Sequence, residues 1–257
     1  MKVNLLTNTG LWVSVRAAKT CYGKPDMVYE MSDLAQFEFL KRIIKAGHES
    51  VLEHSVYVLD ITGISRACLQ ELARHRHISL SVKSTRWALG THEDVYVPKN
   101  MPKDLIDFYR RYMHQSLGIV NSVKESTGND VAKYFLPEGV VTDLILTVNL
   151  RELRHMWKVR HSEKALLEFQ IIMEAIVESL PEYARELVTY SPEVVSSDSS
   201  LLSKATDLLR KASHSMEGVC SQNESGFISV NTPLIVDINE FLNTVNNLKE
   251  KGAEVNA

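Results

Sequence analysis

The sequence predicts an α+β fold. Short β-patterned segments are interspersed with longer helical ones, and no regular strand-helix-strand alternation connects them. In 257 residues, a hydrophobic share of 44% suffices for one sizeable core and excludes more than two ordinary domains, so one main domain is expected.

Residues 2–7 and 55–61 (SVYVLDI) carry β-branched and aromatic side chains at near-alternating spacing and read as half-buried strands. Between them, DLAQFEFLKRIIKAG opens on Asp33 as the expected N-cap, with Gln36 three residues on. It repeats apolar residues at helical spacing and stops at Gly47. Further helices are expected from Ser65 to about Arg76 and from Pro102 to about Ser126. The second of these turns Leu105, Tyr109, Tyr112, Ile119 and Val123 to the core. The segment ISLSVKSTR between them reads as a hydroxyl-rich loop, and TDLILTVN (142–149) reads as a strand. Two helical stretches, 150–160 and 163–180, follow, with Ser162 placed to cap the second and Pro181 opening a short third.

Past Tyr190 the composition becomes Ser-rich and poor in aromatics, which marks a boundary between residues 1–190 and 191–257. The second segment holds nine acidic and five basic residues, and it keeps two helix-like patterns, LLSKATDLLRKAS and DINEFLNTVNNLKEK. It is expected to be an acidic helical extension. The formal charge of the whole chain is -3, against a protein held to nucleic acid by bulk positive charge. Cys21, Cys68 and Cys220 form no CxxC and support neither a disulfide framework nor a thiolate zinc site, so a reducing cytoplasm is the expected compartment. No apolar run approaches the ~20 residues that span a bilayer, and no signal-peptide core is evident.

Basic residues concentrate twice. Arg66, Arg74, Arg76, Lys83 and Arg86 face the single acid Glu71 within one stretch, and His75 and His77 lie among them. Forked donors beside hydroxyls suit a phosphorylated ligand, although cations at a helix end also complement its dipole, and the residues alone leave both readings open. The second concentration, NLRELRHMWKVRHSEKALLEFQ, sets Arg151, Arg154, His155 and Lys158 beside an apolar stripe and reads equally as an amphipathic helix with a wet basic face. In GHESVLEH, His48, Glu53 and His54 are metal-ligand types without metal-site spacing, so no metal is expected.

Together these blocks resemble the flavin-dependent thymidylate synthases. RHRHISLSVKSTRW places Arg74, His75, Arg76, Ser84 and Arg86 at the spacing of that family's signature. RAAKTCYG, GHESVLEH, VAKYFLP and NLRELRHMWKVR with ALLEF follow its other blocks in order over residues 1–190. The resemblance implies a mixed, largely antiparallel sheet flanked by helices, the thymidylate synthase-complementing protein fold. It implies FAD-dependent methylation of C5 of dUMP with methylenetetrahydrofolate and NADPH, in homotetramers whose sites are shared between subunits.

Position by position, the resemblance makes Arg160 the catalytic arginine that binds the pyrimidine. It gives Arg74, Ser84, Thr85, Arg86 and Lys133 to the nucleotide. Cys21, His48, Ser50, Glu53, Arg74, His75, Arg76, Ser81, Asn149, Arg151 and His155 fall to the flavin. The chain departs from the family at Ser81-Val82 (usually Asn-Glu), Trp87 (Tyr), His155 (Asn), Lys164 (His), Lys133 (Arg) and Glu71 (Gln). Changes of polar group within one pocket alter which ligands it accepts. The alternative is therefore methylation or hydroxymethylation of another pyrimidine deoxynucleotide such as dCMP, and behind it a non-catalytic nucleotide- or RNA-binding homologue.

Overall fold

The structure, a computed structural model, describes residues 1–87 and 95–192. The expected extension at 191–257 lies outside the described residues beyond Pro192. Four strands form one sheet in the order β1-β2-β4-β3, with β1 at Lys2–Asn8, β2 at Val56–Ser65, β3 at Ile78–Val82 and β4 at Val141–Asn149. All three pairings are antiparallel.

Alternation decides which face is buried. Tyr57, Leu59 and Ile61 of β2 and Leu144, Leu146 and Val148 of β4 point to one side and are buried. Helix α7 (Leu167–Ser179) packs there through Phe169, Ile172, Met173 and Ile176. Helices α2 (Asp33–Lys45), α3 (Arg66–Leu72), α6 (Leu150–Arg160) and α8 (Glu182–Thr189) complete the core, with α1 (Trp12–Thr20) beside them. Between Ile61 and Ile64 the β2–β4 register slips. Gly63 adopts φ 77 there and donates its N–H to Asp143 Oδ1 at 2.8 Å, a bulge that a side chain would strain.

Helix α3, expected to run to about Arg76, ends at Leu72, and four further expectations change. The first concerns ISLSV, which is a strand and not a loop: Ile78, Leu80 and Val82 turn inward against β4 while Ser79 and Ser81 face out, a period of two that the serines conceal. The second is the cap of α2, where Ser32 accepts from the Ala35 N–H at 3.2 Å and Asp33 is already helical. Ser162 caps nothing, because its hydroxyl donates back to the Val159 carbonyl and α7 begins only at Leu167. The fourth concerns α4 (Lys103–Thr127), which the short α5 (Asn129–Ala132) follows and which buries Met113 and Val120 and leaves Leu105, Tyr112 and Ile119 exposed, together with Phe108. Of the stripe expected in the core, Tyr109 and Val123 are half-buried, and Leu105, Tyr112 and Ile119 point outward. No described helix is long and apolar enough to cross a membrane.

Candidate active site

Strand β3 divides the signature. Arg74, His75 and Arg76 precede it where Ile78 pairs with Val148, near the start of α6, whereas Ser84, Thr85 and Arg86 follow Val82, which pairs with Leu144. Five residues of strand put roughly 13 Å between the two halves. The structure accordingly forms two polar clusters, and no described contact joins them.

The first cluster centres on Arg160, the last residue of α6, whose side chain is 16% exposed. Its Nη1 donates to Glu71 Oε2 at 2.7 Å, its Nη2 to the Glu71 carbonyl at 3.4 Å and its Nε to His75 Nε2 at 3.1 Å. The guanidinium also lies over the Phe169 ring, 5.1 Å from its centroid. Of its five N–H groups, these three bonds leave two for a ligand. Glu71 reaches Arg74 as well, at 3.7 Å, so the carboxylate that departs from the family pattern sits between two arginines.

Behind Arg160, buried His75 meets buried Glu152, Nδ1 to Oε1 at 2.8 Å. Burial holds the imidazole below its ordinary titration range, and Glu152 only partly offsets this. With exposed His155, these two place three side chains able to ligate a metal within 4.8 Å of one another. An arginine only donates, so His75 Nε2 must be an acceptor and Nδ1 must carry the hydrogen. His75 itself then offers no lone pair toward Glu152 and His155.

The second cluster lies at the other end of β3. Arg86 Nε is 3.1 Å and Lys133 Nζ 3.4 Å from the same carboxylate oxygen of Asp130, and the Asn129 side-chain amide donates to the Arg86 carbonyl at 2.8 Å. The Ser84 hydroxyl accepts from the Arg86 N–H at 3.3 Å and Thr85 is half-buried beside it. Arg86 and Lys133, both assigned to the nucleotide, are therefore neighbours, while Arg74 belongs to the other cluster.

Of the flavin-assigned residues, His48, Ser50, Glu53, His75, Asn149, Arg151 and His155 gather around the first turns of α6. Arg74 instead lies with Glu71 beside Arg160, the last residue of α6, and Cys21 is not brought to them by any described contact. His48, Ser50 and Glu53 lie along the 3-10 turn Glu49–His54, which packs on α6, and Arg151 pairs with Glu53. Asn149 caps α6 by accepting from the Glu152 N–H at 2.8 Å. His155 stands edge-on to His75 at 5.9 Å. Arg76 and Ser81 are exposed. Cys21, at the end of α1, is exposed, and its thiol reaches only its own helix at Ala17.

Not every residue of the basic helix is wet. Arg154 is 10% exposed, bonds to the carbonyls of Leu187 and Tyr190 and meets Glu49, so it ties down the C-terminus of α8. Sequence reasoning also missed Glu152, Asp130 and Glu168. Glu168, inside ALLEF, accepts from the Ser65 N–H at 2.7 Å and the Ser65 hydroxyl at 2.5 Å, anchoring the residue that caps α3. Burial raises the Glu168 pKa and the Ser65 bonds oppose the rise. Burial also pushes the Cys68 thiol up, which suits packing and not nucleophilic attack.

The sequence profile described as thymidylate synthase complementing protein matches residues 5–184. The flavin-dependent thymidylate synthase of Wolinella succinogenes is 35% identical over 204 residues, 73% of this chain and 97% of the relative. That of Campylobacter jejuni is 36% identical over 201 residues, 71% of this chain and 93% of the relative. A crystal structure of thymidylate synthase X from Helicobacter pylori, described as holding FAD and dUMP, is 30% identical at a TM-score of 0.60. That likeness covers 74% of this chain and 97% of the other. The match runs from β1 into α8 and takes in both polar clusters, and by it this chain belongs to the flavin-dependent thymidylate synthase family.

Proposed function

We propose that the chain converts dUMP to dTMP, transferring a methylene from methylenetetrahydrofolate to C5 and reducing it with electrons that pass from NADPH through FAD. The observation that carries this reading is Arg160, anchored on two sides with two N–H groups left over. Carbon 5 of uracil becomes nucleophilic as negative charge builds on the ring, and a fixed guanidinium beside the carbonyl and N3 stabilises that charge as it develops. Activation of this kind needs no cysteine.

The residues present fit a flavin dinucleotide. His48, Ser50, Arg151 and His155 offer exposed donors around the start of α6, and exposed Arg74 and Arg76 add theirs just before β3, a set suited to phosphates and to polar ring edges. FAD, when bound, supplies the redox chemistry, and the chain supplies binding, orientation and electrostatics. Arg86 and Lys133 would hold the nucleotide phosphate in exchange for Asp130, with Ser84 and Thr85 adding hydroxyls. Two features support sites shared within a homotetramer. The phosphate pair and Arg160 lie at opposite ends of β3 in one chain, and α4 carries an unburied apolar stripe. Residues 1–190 form the catalytic unit in this reading and 191–257 an extension.

One observation favours a second reading. The Glu71 carboxylate beside Arg160 adds an acceptor where a pyrimidine edge would lie, and carboxylates accept from the exocyclic amine of cytosine. The relatives cited are thymidylate synthases by description, which keeps dUMP first and dCMP second.

The test is turnover of the purified protein with FAD, NADPH and methylenetetrahydrofolate, offering dUMP and dCMP separately and reading products by mass. Thymidylate from dUMP is expected, and a methylated or hydroxymethylated cytidine product would instead select the second reading. Arg160→Ala should end turnover with FAD still bound, and an unchanged rate would remove Arg160 from the mechanism.

A further inference from the structure

Glu152 and Arg160 lie on the same helix, eight residues apart, and both hold one imidazole. Glu152 Oε1 is 2.8 Å from Nδ1 of His75, and Arg160 Nε is 3.1 Å from its Nε2. The ring therefore carries its hydrogen on Nδ1, the form that free histidine populates less, and Glu152 is the group that accepts it. The two anchors of Arg160 differ in kind. Glu71 is about one-third exposed, whereas the His75–Glu152 pair is buried, with side chains only 5% and 8% exposed.

We propose that Glu152 is a positioning residue for the reaction, acting on Arg160 through the tautomer of His75. This rests on the reading of Arg160 as the group that meets the pyrimidine. With Glu152 in place, Nε2 offers a lone pair and fixes the guanidinium, so its two unused N–H groups have one direction. Without it, the buried Nδ1–H has no acceptor, so the ring turns to find another or shifts its hydrogen, and in either case the Nε2 lone pair no longer fixes the Arg160 Nε–H. Arg160 then keeps Glu71, about one-third exposed, and the Phe169 ring, neither of which holds its Nε–H. The Glu152 backbone is itself held, since its N–H donates to the Asn149 side chain, and this gives the device a rigid base at the start of α6.

The experiment is 15N NMR of the holoenzyme labelled at histidine, with the His75 signal assigned by its loss in His75→Gln, beside steady-state kinetics of Glu152→Gln and Glu152→Leu. Wild type and Glu152→Gln, whose amide oxygen still accepts, should show a protonated Nδ1. Glu152→Leu should lose the 15N signature of an Nε2 that accepts a hydrogen bond, retain FAD, and lose about ten- to a hundredfold in kcat with a smaller change in KM. A wild-type His75 protonated on Nε2, or a Glu152→Leu enzyme with full kcat, overturns the proposal. If Glu152→Leu does not fold, the tautomer in wild type and Glu152→Gln decides, and Nε2–H in either overturns it. Inertness of the wild type toward both dUMP and dCMP would instead overturn the functional reading.

Discussion

The Glu71 carboxylate lies 2.7 Å from the Arg160 guanidinium and draws Arg74 toward the same charge. An anionic ligand must therefore share Arg160 with an internal anion before it gains the full benefit of the arginine. Replacing Glu71 by Gln, the residue usual in the family, removes the competing charge and keeps an acceptor. Glu71→Gln should bind dUMP more tightly by roughly 1 kcal/mol, with the gain largest at low salt. Titration calorimetry on the FAD-loaded enzyme measures this, and weaker binding would make Glu71 a ligand contact instead.

His75 gives a pH dependence of known sign. Burial depresses its pKa below the ordinary 6.5, Arg160 and His155 add to that, and Glu152 opposes it. The unfolded chain takes up the proton near 6.5 and the folded chain only at lower pH, so between those values the unfolded state binds more protons. Stability should fall as pH drops from 6.5 toward the folded value, with no contribution from this group above it. Urea denaturation across that window should show a slope that His75→Gln reduces, and identical slopes would discard the assignment.

Arg154 is the buried strap of α8. Arg154→Leu leaves the Leu187 and Tyr190 carbonyls without this donor and Glu49 without its cation. A loss of about 2–4 kcal/mol is expected, seen as a lower urea midpoint at unchanged m-value. A loss within experimental error would mean that water satisfies those carbonyls.

Thr142 offers the opposite effect. Its hydroxyl is buried and, among the described residues, has no hydrogen-bond partner. Thr142→Val keeps the shape and removes the polar atom, so a gain of about 1 kcal/mol should appear in thermal denaturation. A destabilised variant would reveal a partner for that oxygen.

The helices and the two central strands were legible because their apolar residues keep clean periods, as in DLAQFEFLKRIIK and TDLILTVN. Strand β3 was hidden because Ser79 and Ser81, which face out, look like loop residues until the alternation of Ile78, Leu80 and Val82 is weighed. Motif spacing marked Arg160, His75 and Arg86, but the carboxylates that hold them, Glu71, Glu152 and Asp130, are distant in sequence from at least one partner each, and charge counting does not pair them. The same limit concealed Arg154, whose spacing on α6 does not separate a buried strap from a solvated cation. The outward stripe of α4 was misread because periodicity reveals that a helix has an apolar face, not what covers it.

The strand order bears on how the chain is made. In β1-β2-β4-β3 the strand that flanks β3 is the last of the four described strands to be synthesised, and among the described residues no two consecutive strands form a short hairpin. Every pairing closes a long loop, which predicts slow folding. During translation the signature strand leaves the ribosome before its partner in β4, and its described pairings wait until residues 144–148 have emerged. That interval exposes it to wrong partners, including β3 of another nascent chain. The two outward serines keep one face of the waiting strand polar, so the feature that hides it in the sequence also guards it against aggregation.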